Sequence, residues 1–281
     1  MQVISDAADL APLYGNLFVP TMGALHDGHA TLVRSAARVR DAAPTGGPPV
    51  VVSIFVNPTQ FNDATDLARY PRTLDADLAV CHRAGADAVF IPEPETVYPP
   101  DHAVAVPPLP AAATQPRLED ALRPGHFEGV CQVVARLFDL VKPSAAFFGE
   151  KDYQQLAVVR AMTAALLLPV EIVPVPTVRE HDGLAMSSRN RFIPADKRAR
   201  AAAISRALCE ASSAACSSPS SAESAMRRVL LDAGFSDADI QYAVVRDAET
   251  LSAPAQGRPA RALIAASLPP VRLIDNAPWH G

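Results

Sequence analysis

The stretch Phe18-Val-Pro-Thr-Met-Gly-Ala-Leu-His-Asp-Gly-His-Ala-Thr-Leu-Val33 decides how the chain is read. It opens as a short apolar strand, Leu17 to Val19, breaks at Pro20 and passes through Gly23 and Gly28. Apolar residues at helical spacing follow, at Ala30, Leu32, Val33, Ala36 and Ala37. A strand, a Gly-containing turn and a helix N-terminus place main-chain N–H groups and the positive end of a dipole where an anion can dock. His26 and His29, three apart around Gly28, bring two imidazoles to the same turn. The combination points to a site that grips phosphate while charge builds on it. Zinc is the weaker reading, because no third or fourth ligand stands at a recognisable spacing.

Outward from that turn the chain alternates between strands and helices. Val50 to Val56 is a continuous apolar run rich in β-branched residues, as a strand buried on both faces should be, and it ends in the polar Asn57-Pro58-Thr59-Gln60-Phe61. Arg69-Tyr70-Pro71-Arg72-Thr73 leads into a helix over Leu74 to Ala84, closed by Gly85, and Ala88 to Pro92 reads as a third strand. Residues 93–116 are Pro-rich, with a strand expected around Ala103 to Val106. A helix after Gly125 lines up Phe127, Val130, Val134, Leu137, Phe138 and Val141 on one face and ends at Lys142-Pro143. Ala145 to Phe148 is the fourth strand, a helix spans about 155–167, and Val170 to Val173 is the fifth strand. This is the βαβ alternation of a doubly wound parallel α/β fold.

From about Pro176 the texture becomes polar and loop-like, so the boundary is set between a domain over 1–176 and a smaller α+β domain over 177–281. The second holds an Ala/Arg-rich helix over 195–214 and a Ser/Pro linker at 217–221. A helix follows whose expected capping box pairs Ser220 with Glu223, and strand-like runs come at 240–245, 262–266 and 271–274.

Composition narrows the function. At 281 residues the chain can bury a full core, and a net charge of −5 argues against a generic nucleic-acid binder. The N-terminal segment carries acids where a signal peptide carries cations, and no apolar run suits a bilayer span, so a cytoplasmic enzyme with no membrane partner is expected. Cys81, Cys131, Cys209 and Cys216 lack metal or redox spacing and read as reduced, mostly buried thiols. Lysine occurs only at 142, 151 and 197 in a chain that otherwise chooses arginine.

Three polar clusters, 20–29, 57–61 and 149–155, each follow a strand, and ligands of open parallel sheets bind at such ends. A fourth, 182–190, lies at the domain junction. Within it, Met186-Ser187-Ser188-Arg189 offers hydroxyl donors and a guanidinium fork suited to a polyphosphate. Lys151, beside Asp152, supplies a compact cation for phosphate. Gln60 and Gln155 are neutral amides able both to donate to and to accept from a hydroxylated carboxylate.

The blocks also resemble a known family. Pro20 to His29 is similar to the His-x-Gly-His signature of the nucleotidyltransferase superfamily, in the form used by pantothenate synthetases. Val52 to Phe61, Tyr70 to Thr73, Arg123 to Phe127, Phe148 to Gln155, Asp182 to Asn190 and Arg272 to Asn276 match that family in the same order. The resemblance implies condensation of pantoate with β-alanine, ATP cleavage to AMP and pyrophosphate, a pantoyl-adenylate, Mg²⁺ and a homodimer. It also implies a Rossmann-like N-terminal domain and a smaller C-terminal domain that closes over the ATP site. Met22, Gly23, Ala24, Leu25, His26, Asp27, Gly28, His29, Gly149, Glu150, Lys151, Asp152, Val178, Met186, Ser187, Ser188 and Arg189 would then bind ATP. His29, His26, Lys151 and Arg189 would stabilise phosphate charge, Gln60 and Gln155 would hold pantoate, and Asp77 would be a magnesium-side carboxylate. The chain departs from the family pattern in a short N-terminal arm, a Pro/Gly loop at 42–49 and Thr59, where the family often has Met beside the pantoate pocket. Rival readings are transfer of AMP onto a phosphorylated metabolite, which calls for a cationic acceptor pocket, and nucleotide sensing without turnover.

Overall fold

The computed structural model describes residues 1–44, 46–61, 67–68, 70–213 and 216–281. Thr45 of the 42–49 loop, Arg69 before the second helix and Ala214 at the expected end of the Ala/Arg-rich helix lie outside the described residues. Contacts divide the chain into two units, the first over Met1–Gly149 and Val158–Pro176, the second over Glu150–Ala157 and Thr177–Gly281.

The first unit holds six parallel strands: β1 (Gln2–Ile4), β2 (Leu17–Thr21), β3 (Val50–Ile54), β4 (Ala88–Phe90), β5 (Ala145–Gly149) and β6 (Glu171–Val175). Their order is β1-β4-β3-β2-β5-β6. The winding runs outward from β2 through β3 to β4, then returns to the other side of β2 for β5 and β6, which opens a crevice at the carboxyl ends of β2 and β5. Helices α1 (Asp27–Asp41), α2 (Leu74–Ala84) and α3 (His126–Val141) belong to this unit, and α4 (Tyr153–Ala165) begins in the second unit and ends in the first. Val33 and Ala36 of α1 pack on Val50, Val52, Val89 and Phe147 of the sheet. The six apolar positions read as one face of α3 are all buried, and Phe138 meets the buried Phe18 edge to face.

Four elements differ from the sequence reading. β1 is an added edge strand pairing Gln2 to Ile4 with Ala88 to Phe90; three residues carry no usable period. Pro20 does not end β2. Leu17 N and Thr21 O bond toward β3, so Pro20 faces β5, whose pairing with β2 stops at Phe18, and its missing N–H leaves no ladder bond unmade. The strand expected at Ala103 to Val106 is absent; Val104 O instead accepts from the Gln132 side chain of α3. The helix expected to about 167 ends at Ala165, and Leu167 turns left-handed.

The second unit has an antiparallel sheet β7 (Ile240–Asp247), β8 (Ala260–Leu268) and β9 (Val271–Trp279) packed with α5 (Arg198–Ala211) and α6 (Pro219–Asp232). Leu208, Met226, Leu230, Val245 and Ile264 centre its core. The capping box of α6 pairs Ser218 with Ser221, not Ser220 with Glu223, because Pro219 takes the first helical position and moves the cap one residue upstream of it. Glu223 accepts from Val245 N instead. Cys81, Cys131 and Cys216 are buried and Cys209 is exposed; burial pushes the Cys81 and Cys131 thiols up to about 12.

Gly129 of α3 is where helix and loop meet most closely. A Cβ there would stand 2.5 Å from Thr59 O and 2.7 Å from Gln60 N. Gly129→Ala must therefore push back the Pro58–Gln60 turn, and we expect it to cost roughly 1–3 kcal/mol of unfolding free energy in urea titrations. Unchanged stability would show that the turn yields freely.

Candidate active site

The turn after β2 is built by two left-handed residues, Gly23 at φ 80° and Ala24 at φ 50°. Asp77 of α2 makes this possible. Its side chain, in a residue only 2% exposed, accepts Ala24 N at 2.9 Å, Leu25 N at 2.8 Å and Thr73 Oγ1 at 3.1 Å. A Cβ on Gly23 would meet Asp77 Oδ2 at 3.0 Å and Ile54 Cγ2 at 3.2 Å, so the close approach as well as the positive φ requires glycine.

His26 and His29 cap α1 as a reciprocal box. His26 Nδ1 accepts from Gly28 N at 3.1 Å, and His29 Nδ1 accepts from His26 N at 3.3 Å. With both Nδ1 atoms accepting, each neutral ring carries its proton on Nε2. The ring centroids are 4.1 Å apart and the two side chains are half-buried. This corrects one expectation. The N–H groups of Gly23, Ala24, Leu25, His26 and Gly28 are taken by Thr21, Asp77, His29 and His26 side chains, so these five amides serve the turn itself, and the imidazoles stand beside them as side-chain donors.

After β3, Gln60 is buried; its Oε1 accepts from Asn57 Nδ2 at 3.1 Å, and its amide nitrogen lies 2.9 Å from Met22 Sδ. Asn57 Oδ1 accepts from the Tyr98 hydroxyl at 2.7 Å and from Thr59 Oγ1 at 3.1 Å. Thr59 is exposed and joins this polar network, its hydroxyl meeting both Asn57 Oδ1 and the Tyr98 hydroxyl. Burial pushes the Tyr98 hydroxyl above its usual value, so it remains a donor. Arg123 can only donate, so its 3.1 Å contact makes His126 Nε2 an acceptor and leaves Nδ1–H to donate to Gln60 O at 3.0 Å. The sequence blocks contain Asn57, Arg123 and His126, but nothing in their spacing shows that they surround Gln60. Tyr98 carries no sequence signal at all.

In the first unit the structure gathers Met22, Gly23, Ala24, Leu25, His26, Asp27, Gly28, His29 and Gln60 at the carboxyl ends of β2 and β3, and Gly149 closes β5. In the second unit lie Glu150, Lys151, Asp152, Gln155, Val178, Met186, Ser187, Ser188 and Arg189. Lys151 Nζ is 3.3 Å from Asp152 Oδ1, and Gln155 is half-buried on the first turn of α4. Val178 O accepts Met186 N, which closes a hairpin leading into the turn Ser188–Phe192, with Ser187 Oγ capping Arg189 N. Arg198 of α5 braces that hairpin through Asp182 at 2.6 Å and Glu180 at 2.7 Å. The Arg198 hydrogen bond holds the Asp182 carboxyl at about 2, below its usual 3.8.

The magnesium assignment of Asp77 competes with this turn, because its two oxygens already accept three hydrogen bonds.

These features define a doubly wound α/β protein with a histidine-capped helix at the carboxyl end of a central strand. The chain belongs to the Pantoate-beta-alanine ligase family, whose description matches residues 12–278. It is 50% identical over 260 residues to a pantothenate synthetase of Paracoccus denitrificans, covering 92% of this chain and 88% of that protein. The crystal structure of a Thermus thermophilus pantothenate synthetase superposes with a TM-score of 0.89 at 44% identity, over 99% of both chains. A Francisella tularensis pantoate-beta-alanine ligase, solved with beta-gamma ATP and beta-alanine, gives a TM-score of 0.75 at 30% identity over 99% of this chain and 97% of that one.

Asp77→Asn should destabilise the chain by about 1–3 kcal/mol, because an amide can accept at only one end of the turn. Magnesium alone should raise the urea midpoint of the wild type no more than that of the variant; selective stabilisation of the wild type would return Asp77 to the metal. The Asp182 carboxyl is depressed in the folded state, so its contribution is complete above the unfolded value near 3.8 and is lost as pH falls toward 2. The stability gap between wild type and Asp182→Asn should therefore shrink over that window in acid titrations. A constant gap would remove the ion pair as its source.

Proposed function

We propose that this chain joins pantoate to β-alanine at the expense of ATP, giving pantothenate, AMP and pyrophosphate through a pantoyl-adenylate. The observation that carries the reading is the reciprocal cap, in which His26 and His29 each have Nδ1 held by a main-chain N–H and so present Nε2–H as a neutral donor. The proposal assigns ATP to Met22 to His29, Gly149 to Asp152, Val178 and Met186 to Arg189, and pantoate to Gln60 and Gln155.

In the first step a pantoate carboxylate oxygen attacks the α-phosphorus. The bond to the bridging oxygen breaks, and pyrophosphate leaves with the electron pair. Attack by one anion on another is opposed by repulsion, and charge grows on the departing oxygens. Donors already fixed in place stabilise that growth without reorganising at the moment of reaction. The imidazole donors do this without a formal charge; Lys151 and Arg189 add cations, and Ser187 and Ser188 add hydroxyl donors. The Gln60 amide, held by Asn57 and Met22, keeps a second N–H and further acceptor capacity for pantoate. In the second step the free amine of β-alanine attacks the acyl carbon, the amide bond forms, AMP departs with the electron pair, and the amine loses a proton.

Magnesium, in this proposal, would supply positive charge to the polyphosphate, and Asp77, committed to the Gly23–Leu25 turn, is not assigned to hold it. A cytoplasmic homodimer is part of the same proposal and rests on the resemblance; for the described residues, no helix is long and apolar enough to cross a membrane.

Pyrophosphate release should require pantoate together with ATP, and AMP with the amide product should appear on adding β-alanine. No pantoate-dependent pyrophosphate would overturn the reading. His29→Ala should lower kcat by roughly 10²–10³-fold while the pantoate KM moves little, because the lost donor acts on charge that develops in the transition state. An unchanged kcat would take His29 out of the mechanism.

A further inference from the structure

Two neighbouring residues of β9, Asp275 and Asn276, are buried at 3% exposure each, yet neither is part of the chemistry described above. Their hydrogen bonds run in two directions within the second unit. Asn276 Nδ2 donates to two consecutive main-chain carbonyls, Glu150 O and Lys151 O, both at 2.9 Å. Its Oδ1 accepts Arg261 Nε at 2.5 Å, and the same guanidinium donates to Glu150 Oε2 at 2.7 Å. Arg261, 6% exposed, also lies 3.9 Å above the Tyr153 ring, so the Glu150–Asp152 turn is held by its main chain, by its first side chain and through the residue that follows it.

Asp275 reaches the other way. It receives a two-pronged bond from Arg179, at 2.6 and 3.1 Å, and Arg179 in turn donates to Gly183 O at 3.0 Å. Arg179 bridges to Ala185 in the hairpin that leads into Ser187 and Arg189. Asn190, next in line, donates to Ala185 O at 3.0 Å. One cavity is lined by Lys151, Ser187, Asn190 and Asp275 together, and the buried Asn190 Oδ1 has no hydrogen-bond partner among the described residues.

We infer that Asp275 and Asn276 are positioning residues for the ligation reaction. Asn276 sets the Lys151 turn, Asp275 sets the Ser187–Arg189 hairpin, and their adjacency on one strand fixes the spacing between the two. This rests on the reading that both segments bind ATP. A buried amide that satisfies two successive carbonyls leaves the turn one conformation, and a bidentate carboxylate–guanidinium pair does the same for the hairpin. Loss of either bond leaves buried polar groups unpaired and lets one segment drift while the other stays.

The test is a set of double-mutant cycles on ATP binding, read by titrating ATP itself into the full chain without pantoate. Asn276→Asp, which keeps shape but removes both donors, should weaken ATP about tenfold in the wild-type background and less than twofold when Lys151 is already Ala. Arg179→Lys, which keeps the charge but loses the fork, should weaken ATP several-fold alone and little further in an Arg189→Ala background. It should retain its full effect in Lys151→Ala. Arg261→Lys is the gentler companion should Asn276→Asp fail to fold, and its loss should likewise vanish in Lys151→Ala. Equal losses in all backgrounds, or no loss, would mark these residues as structural only and overturn the inference alone. A wild-type chain that does not bind ATP would overturn the inference together with the reading beneath it.

Discussion

The carboxylate of Asp77 is the constraint on which the first unit's site depends. Two successive residues with positive φ, one of them an alanine, are held in place by an acceptor that takes both following N–H groups. That brings the chain out of β2 and into α1 over five residues, and it fixes where His26 must stand as the cap. A metal ion at the same oxygens would compete with the turn it is meant to serve. The carboxylate's contribution is thus geometric: it converts the end of a parallel strand into the start of a helix at the point where the sheet's winding reverses.

The second unit solves a similar problem with charges in place of a strained turn. Arg179, Arg198 and Arg261 each bind a carboxylate, and each also touches a main-chain carbonyl or a second polar side chain. Buried ion pairs contribute little net stability once desolvation is counted, but a pair that loses one member is strongly destabilised. Placed beneath loops, such pairs leave few alternative conformations. The segments carrying Lys151 and Arg189 have little apolar surface of their own, so polar clamps from β8, β9 and α5 supply the order that packing cannot.

The fold was legible wherever burial imposes a period. The β-branched run at Val50, the apolar strand at Ala145 and the helical face from Phe127 to Val141 follow directly from a sheet covered on both faces. Legibility failed where a long-range partner decides. β1 is a strand only because Ala88 to Phe90 stands beside it, and Pro20 is tolerated only because β5 has stopped pairing. The same split applies to the site. His26, His29 and Gln60 stand out as residue types at strand ends, whereas Asp77 lies 53 residues from Ala24 and Arg261 lies 111 from Glu150. No local pattern encodes such pairs.

A phosphate-gripping turn ordinarily offers its main-chain amides to the anion. Here five of those amides point inward, to side chains of the turn itself, Asp77 and Thr21. The exchange has a chemical logic. Main-chain amides point wherever the backbone runs, whereas an imidazole locked by its Nδ1 puts a single Nε2–H donor at a set place and direction. Fixing Nδ1 on the main chain also removes the other tautomer, so the donor's identity is decided before any ligand arrives. The turn thereby commits five amides to its own geometry and presents two oriented imidazoles, an arrangement in keeping with the proposed attack on a polyphosphate.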